Sequence, residues 1–329
     1  MAYPILKPNS SWFTPTVSTI KRATITTINI VDSYTPSETP TDSWDASVAQ
    51  DGSIMCYVEG TTLTIAGNGS GRIMANADSS SMFSNMLKLT SVNCGVLDTS
   101  NATTMKYMFG GTSSSNLMTL TSIIFGEYFN TSNVEDFSYM FNYCISVPQL
   151  DVSGFNTSKA TTMSRMFNQM RIVESLDLSS FDTSKVTDMK NMFQRCELMT
   201  DLTFGENFKT GNVTDMSYMF SKCYGLTSID VSDWDTSSLI TGSTMFNFCT
   251  GLKELDVSKW NVSKLQDASY MFNECSALTT LDVSNWNTSS CTNMSFMLCH
   301  CNSLQSVDVS KWDVSNVTSI ESFITQSTI

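Results

Sequence analysis

The sequence predicts an α/β leucine-rich-repeat solenoid, with short parallel strands and short helices in about ten 26-residue turns behind an N-terminal β-rich cap. Three observations predict it. The pair Met-Phe, or a close variant, recurs at Met82, Met108, Met140, Met166, Met192, Met219, Met245, Met271 and Met297, with Phe323 in the next place. The steps are 26, 32, 26, 26, 27, 26, 26, 26 and 26 residues. Each unit opens on an L-x-x-L-x-L spacing, as in Leu226-Thr-Ser-Ile229-Asp-Val231. Five of the six prolines (Pro4, Pro8, Pro15, Pro36 and Pro40) fall in the first forty residues, and the repeat region holds only Pro148.

Taken in order, residues 1–41 read as an arm or attachment segment, within which Thr24 to Val31 is β-rich. Residues 42–78 read as the β-rich cap that shields the open end of a repeat core. Here Ser53–Val58 and Thr61–Ala66 form a hairpin around Glu59-Gly60. Residues 79–329 are the solenoid. In its strand segments Ile229 and Val231 face one side, and Ser228, Asp230 and Ser232 face the other. Val213, Met216, Met219 or Phe220, and Cys223 then fall three or four apart, as do Val186, Met189, Phe193 and Cys196. That is the period of a short helix, and Thr214 and Asp215 are placed to cap the first of them. One strand and two helical turns cannot bury their own apolar face, so each unit depends on its neighbours.

Stacking turns each repeat position into a column. Phe155, Phe181, Phe208, Trp234, Trp260, Trp286 and Trp312 form an aromatic column, read as core. Cys144, Cys196, Cys223, Cys249, Cys275 and Cys301 form another, read as packing thiols because their spacing shows no pairing. The long step between Met108 and Met140 places a surface loop at Gly110–Ser115, a tolerated insertion that is also worth testing for binding. The last residues, Ser322 to Ile329, are expected to end the array within its final helix without a cap.

Composition limits the function. Only 15% of residues are charged, and the formal net charge is -13 with 18 Lys and Arg in no cluster. That argues against nucleic acid or an anionic membrane as partner. No export signal and no membrane-spanning apolar run is visible. The single histidine, His300, gives catalysis little to stand on, and no enzyme activity is expected. With Cys291, Cys299 and Cys301 it makes a poor match to a zinc site, lacking the C-x2-C spacing. Gly67-Asn-Gly-Ser-Gly71 reads as turn chemistry, since no phosphate-loop lysine follows it.

The candidate binding residues are Asp151, Asp177, Asp230, Asp256, Asp282 and Asp308, which share one outward strand position and should form a ladder on the sheet face. With Ser153, Ser179, Ser232, Ser258, Ser284 and Ser310 alongside, such an oxygen-rich row could take Ca²⁺. The simpler account is a solvated face on which each Asp bonds neighbouring Ser, Thr or backbone, and no cofactor is required. The face remains the first choice for a partner.

The unit LDVSxWxTSxVTDMSxMFxxC, seen in Leu255-Asp-Val-Ser-Lys-Trp260 and Val213-Thr-Asp-Met-Ser-Tyr-Met-Phe220, resembles the BspA-like leucine-rich-repeat surface proteins over about residues 79 to 329. The preceding stretch, with Trp44-Asp-Ala-Ser, Asp51-Gly-Ser-Ile-Met-Cys56 and Leu63-Thr-Ile-Ala-Gly67, is similar to the β cap that introduces such repeats. The resemblance implies a surface or secreted protein that binds host components, other microbes or matrix. Related arrays also occur in tail and minor structural proteins of bacteriophages. Because the chain lacks a signal peptide, a lipobox Cys and an anchor, a virion component is expected first. It would join other virion proteins through residues 1–78 and present its repeats to a bacterial surface protein or glycan. The alternative is a cell-surface or secreted adhesin.

Overall fold

The computed structural model describes residues 3–323. The chain forms two compact units, one of residues 1–150 with 154–159 and the other of residues 151–153 with 160–329.

In the first unit the hairpin expected around Glu59-Gly60 is present as β3 (Met55–Glu59) and β4 (Thr62–Ala66), with β2 (Asp42–Asp45) antiparallel to β3. The β-rich run after Thr24 becomes β1 (Thr27–Val31), which lies parallel between β4 and β6 (Ser91–Asn93). The strand order is β2-β3-β4-β1-β6-β8, with β8 at Ser122–Ile124, while β5 (Ile73–Met74) pairs with β7 (Leu97–Asp98) apart from it. The segment expected as an arm therefore supplies a central strand and is packed with the cap. Trp12 within it is fully buried, its Nε1 donating to the Met82 carbonyl at 3.2 Å, and Trp44 Nε1 donates to the Trp12 carbonyl at 2.7 Å.

The Met-Phe segments are where structure and expectation part. Among the described residues there is no α-helix, and the one helical element is a 3-10 turn at Arg22–Thr24. In its place each segment is a chain of tight turns. Within one coil, Met219 N–H donates to Met216 O, Ser221 to Tyr218 and Cys223 to Phe220. The alternate N–H groups, those of Met216, Tyr218, Phe220 and Lys222, donate to Thr241, Ser243, Met245 and Asn247 of the next coil at 2.8–3.0 Å. Tyr218 and Lys222 are left-handed, at φ 61° and 65°, and the same pair recurs at Thr244 and Phe248, Tyr270 and Glu274, and Phe296 and His300. A left-handed non-glycine residue costs about 1–2 kcal/mol, and a net hydrogen bond returns about 0.5–1.5 kcal/mol. The conformation therefore stands only where a neighbouring coil supplies acceptors. Three- and four-residue apolar spacing suits a helix or consecutive turns equally well, so the sequence pattern did not separate them.

The same bonds explain the cap. At the first coil Phe83 N–H reaches Met108 O, but no coil precedes it to fill the Met82 and Ser84 carbonyls. Arg22 does so instead, donating to Met82 O at 2.8 Å and Ser84 O at 3.0 Å, alongside Trp12. Burial of this guanidinium lowers its pKa to about 10. In the expected insertion loop, Gly110 and Gly111 are buried, and Asn142 Nδ2 donates to Gly111 O at 2.7 Å. Ser114 and Ser115 are exposed.

In the second unit β9 (Ser175–Leu178) and β10 (Asp201–Phe204) pair in parallel. Elsewhere the coils meet through single bridges such as Asp215 with Thr241 and Asp267 with Asn293. The tryptophans stack as the columns require, Trp234, Trp260, Trp286 and Trp312 lying 6.1–6.5 Å apart with rings within 6° of parallel. Each indole of the last three donates to a carbonyl of the coil before it, as Trp260 does to Val231 at 3.0 Å. A second column, Phe167, Phe193, Phe220, Phe246 and Phe272, runs at 5.3–5.8 Å.

All ten cysteines are free and buried. In the second unit's column each thiol donates to a Phe carbonyl of the preceding coil, Cys223 to Phe193 and Cys249 to Phe220 both at 3.1 Å. Burial raises the Cys196, Cys249 and Cys301 thiols to about 12, so they hold little thiolate at neutral pH. The folded chain should therefore react with fewer than about one equivalent of Ellman's reagent at pH 8, and all ten thiols should react in guanidinium. Rapid labelling of several thiols in the native chain would contradict this packing.

Candidate functional site

The expected outward row is formed by the second unit alone. Asp151, Asp177, Asp230, Asp256, Asp282 and Asp308 are all exposed, and on β9 Leu176 and Leu178 are buried while Ser175 and Asp177 are not. Hydrophobic alternation turns the carboxylates outward. The row is interrupted by Thr203, which stands opposite Asp177 on β10 where the neighbouring coils carry Asp.

Each carboxylate is committed to its own chain. Oδ1 of Asp151, Asp177, Asp230, Asp256, Asp282 and Asp308 accepts the N–H of the serine two residues on, at 2.9–3.2 Å. Ser232, Ser258 and Ser284 add their hydroxyls at 2.7–2.8 Å. This Asx turn bends the backbone out of the strand. The serine hydrogen bonds lower the pKa of Asp256, Asp282 and Asp308, although Asp256 and Asp308 push Asp282 the other way. The bonds outweigh the repulsion along the ladder.

Two further Asx rows were not singled out in the sequence. Asp182, Asp235, Asn261, Asn287 and Asp313 each accept from the Ser at i+2 at 2.9–3.1 Å. Asp215, Asp267 and Asn293 do the same at 2.8–3.1 Å for Ser217, Ser269 and Ser295. The signal was there, because D-x-S or N-x-S recurs up to three times in a coil. Among the described residues no three His, Cys, Asp or Glu side chains group closely enough to hold a metal ion. Cys301, considered for zinc, instead donates to the Phe272 carbonyl at 3.1 Å.

One coil departs from this pattern. Phe204-Gly-Glu-Asn-Phe208 carries the extra residue of the 27-residue step, and Lys209 stands where the flanking coils have Asp182 and Asp235. Beside it opens a cleft of about 900 Å³ that also reaches Asp230, Asp233, Trp234 and Asp235 of the next coil. Gly205 is required here, since a Cβ would lie 2.1 Å from the Ser179 carbonyl oxygen.

Parallel coils joined by turns, each covering the next, define a repeat protein with a long polar outer face. The chain belongs to the family described as Mycoplasma protein of unknown function, DUF285, whose model matches residues 77–201, 170–280 and 243–328. No curated protein matches the chain. Among solved structures it is similar to a leucine rich cell surface protein from Faecalibacterium prausnitzii A2-165, at 15% identity and a TM-score of 0.36, over 89% of this chain and 97% of that one. It is also similar to a leucine-rich repeat protein from Bacteroides ovatus ATCC 8483, at 14% identity and a TM-score of 0.35, over 77% of this chain and 75% of that one.

The Asx turns carry a pH signature. A carboxylate whose folded pKa is lowered contributes stability that is present above its unfolded value, near 3.8, and lost as pH falls through the folded value. Asp188, raised mainly by burial, acts in the opposite sense and loses stability as pH rises through its folded value. The melting temperature should accordingly fall below about pH 4. Substituting Asp256→Asn, Asp282→Asn and Asp308→Asn, which keeps an acceptor at each turn but removes its charge, should flatten that fall and lower the neutral-pH melting temperature modestly, toward the parent's acid value. An acid fall as steep in this variant as in the parent would show that these carboxylates do not carry the pH dependence.

Proposed function

We propose that this chain is a non-enzymatic binding protein of a cell surface, whose repeat array presents a fixed polar face to a protein or glycan of another surface. The carrying observation is that the exposed Asp row is held in one orientation, coil after coil, by Asx turns, so the face is organised before any partner arrives. The resemblance of the repeats to BspA-like surface proteins supports the same reading. This replaces the virion component favoured by the sequence, and residues 1–78 are proposed as part of the folded protein and not as a joint to other virion proteins. Antibody against the folded chain should label intact cells of the source organism, and brief protease treatment of those cells should remove the signal. Labelling confined to lysed cells, or to purified phage particles, would overturn the surface assignment.

A further inference from the structure

The cleft beside Phe204–Phe208 brings aromatic edges and carboxylates together in a concavity among the Asx rows. Phe204 is half-buried and packs against Phe208 at 4.4 Å and Trp234 at 5.4 Å, giving the cleft an aromatic wall. Around it stand four carboxylates, Glu206, Asp230, Asp233 and Asp235, against one ammonium, Lys209. Asp235 and Asp230 hold their own turns through Oδ1, and Asp233 meets Lys259 at 2.9 Å. Glu206 has no ion-pair partner among the described residues and lies exposed on the inserted loop.

The first unit contains a related insert, in which Tyr128 stands where the second unit has Asn207, and there an arginine of the chain itself lies against the insert. Phe125-Gly-Glu-Tyr-Phe129 repeats the motif, and its two phenylalanines lie 4.7 Å apart at 43°, against 4.4 Å and 42° for Phe204 and Phe208. There the guanidinium of Arg72 lies 3.9 Å from the centroid of Tyr128, inside the insert, and pairs with Asp98 at 3.0 Å. A planar cation on an aromatic ring beside a carboxylate is a favourable arrangement, and it is met here from within the chain.

We propose that the second-unit cleft binds an arginine side chain of a partner polypeptide, the guanidinium lying against the aromatic wall and pairing with Glu206 and its neighbouring carboxylates. Charge favours a basic occupant, because the lining is acidic and the whole chain carries -13. Size favours a peptide over a small amine, since the space is at the upper end of the roughly 300–1,000 Å³ that bound molecules of drug size fill. The inference rests on the binding role proposed above and names the class of partner.

The test is fluorescence anisotropy of the full chain with a labelled hexapeptide of alternating Arg and Ser, and with the same peptide carrying neutral citrulline for Arg, at about 0.15 M ionic strength. The arginine peptide should bind at least about tenfold more tightly than the citrulline one. Glu206→Gln, Asp230→Asn, Asp233→Asn and Asp235→Asn together should abolish that preference while circular dichroism shows the fold retained. The variant Glu38→Gln, Glu135→Gln and Glu174→Gln, at exposed carboxylates outside both the cleft and the Asp row, should bind within about twofold of the parent. Equal loss in both variants would overturn the proposal by showing bulk charge attraction. Absence of any preference for arginine, or tighter binding of a neutral linear oligosaccharide at the same cleft, would also overturn it. Labelling of intact cells does not depend on this titration, so surface binding and the arginine cleft can fail separately.

Discussion

The backbone hydrogen bond from one coil to the next governs the rest of this structure. Phe220 N–H to Met245 O, and Phe246 N–H to Met271 O, are made by residues flanked, two positions away on either side, by residues at positive φ. Taken alone such a turn is strained, and taken in a stack it has every alternate donor satisfied. Columns of Phe, Trp and Cys then follow from register. If Phe220 lies over Phe246, Cys223 must lie where it can donate to the Phe193 carbonyl, and Trp260 where it can donate to Val231. Cooperativity of this kind ties each coil's stability to the coils on either side.

Much of this is legible in the sequence. Period, strand faces, the hairpin at Glu59-Gly60, the buried thiols and the tryptophan column follow from spacing and from what apolar and polar groups do in water. The turns did not, because Val213, Met216, Phe220 and Cys223 present one face whether the chain winds as a helix or folds back every four residues. Nothing in that spacing reports the sign of φ. Bulky residues such as Tyr218 and Phe248 at left-handed positions would have argued against the correct answer, since local preference opposes it and only the neighbouring coil overrides it. The role of residues 3–41 was hidden for a related reason. Arg22 and Trp12 matter through the carbonyls of Met82 and Ser84, some sixty to seventy positions away. The expected ending of residues 324–329 lies outside the described residues.

The outer face shows how polar residues can serve structure and recognition together. An aspartate whose Oδ1 accepts a backbone N–H is oriented and kept ionised by the same bond, which makes it a fixed charge and not a wandering one. Legibility was uneven here. The row through Asp230 and Asp256 could be read from its strand position, whereas the cleft arises from one inserted residue and from Lys209 replacing an aspartate, changes that gain meaning only beside the intact coils.

Because alternate donors in the Met-Phe segments point the same way, toward the following coil, the stack has a direction, and the carbonyls at its starting edge need the donors that Arg22 and Trp12 supply. An interior 26-residue coil, by contrast, presents to its successor the same donors that it receives from its predecessor. Gain or loss of a whole interior coil by unequal recombination therefore leaves no orphaned group, while damage to the cap leaves several. Descendants of such a chain can vary freely in the number of coils and hardly at all in how the first one begins.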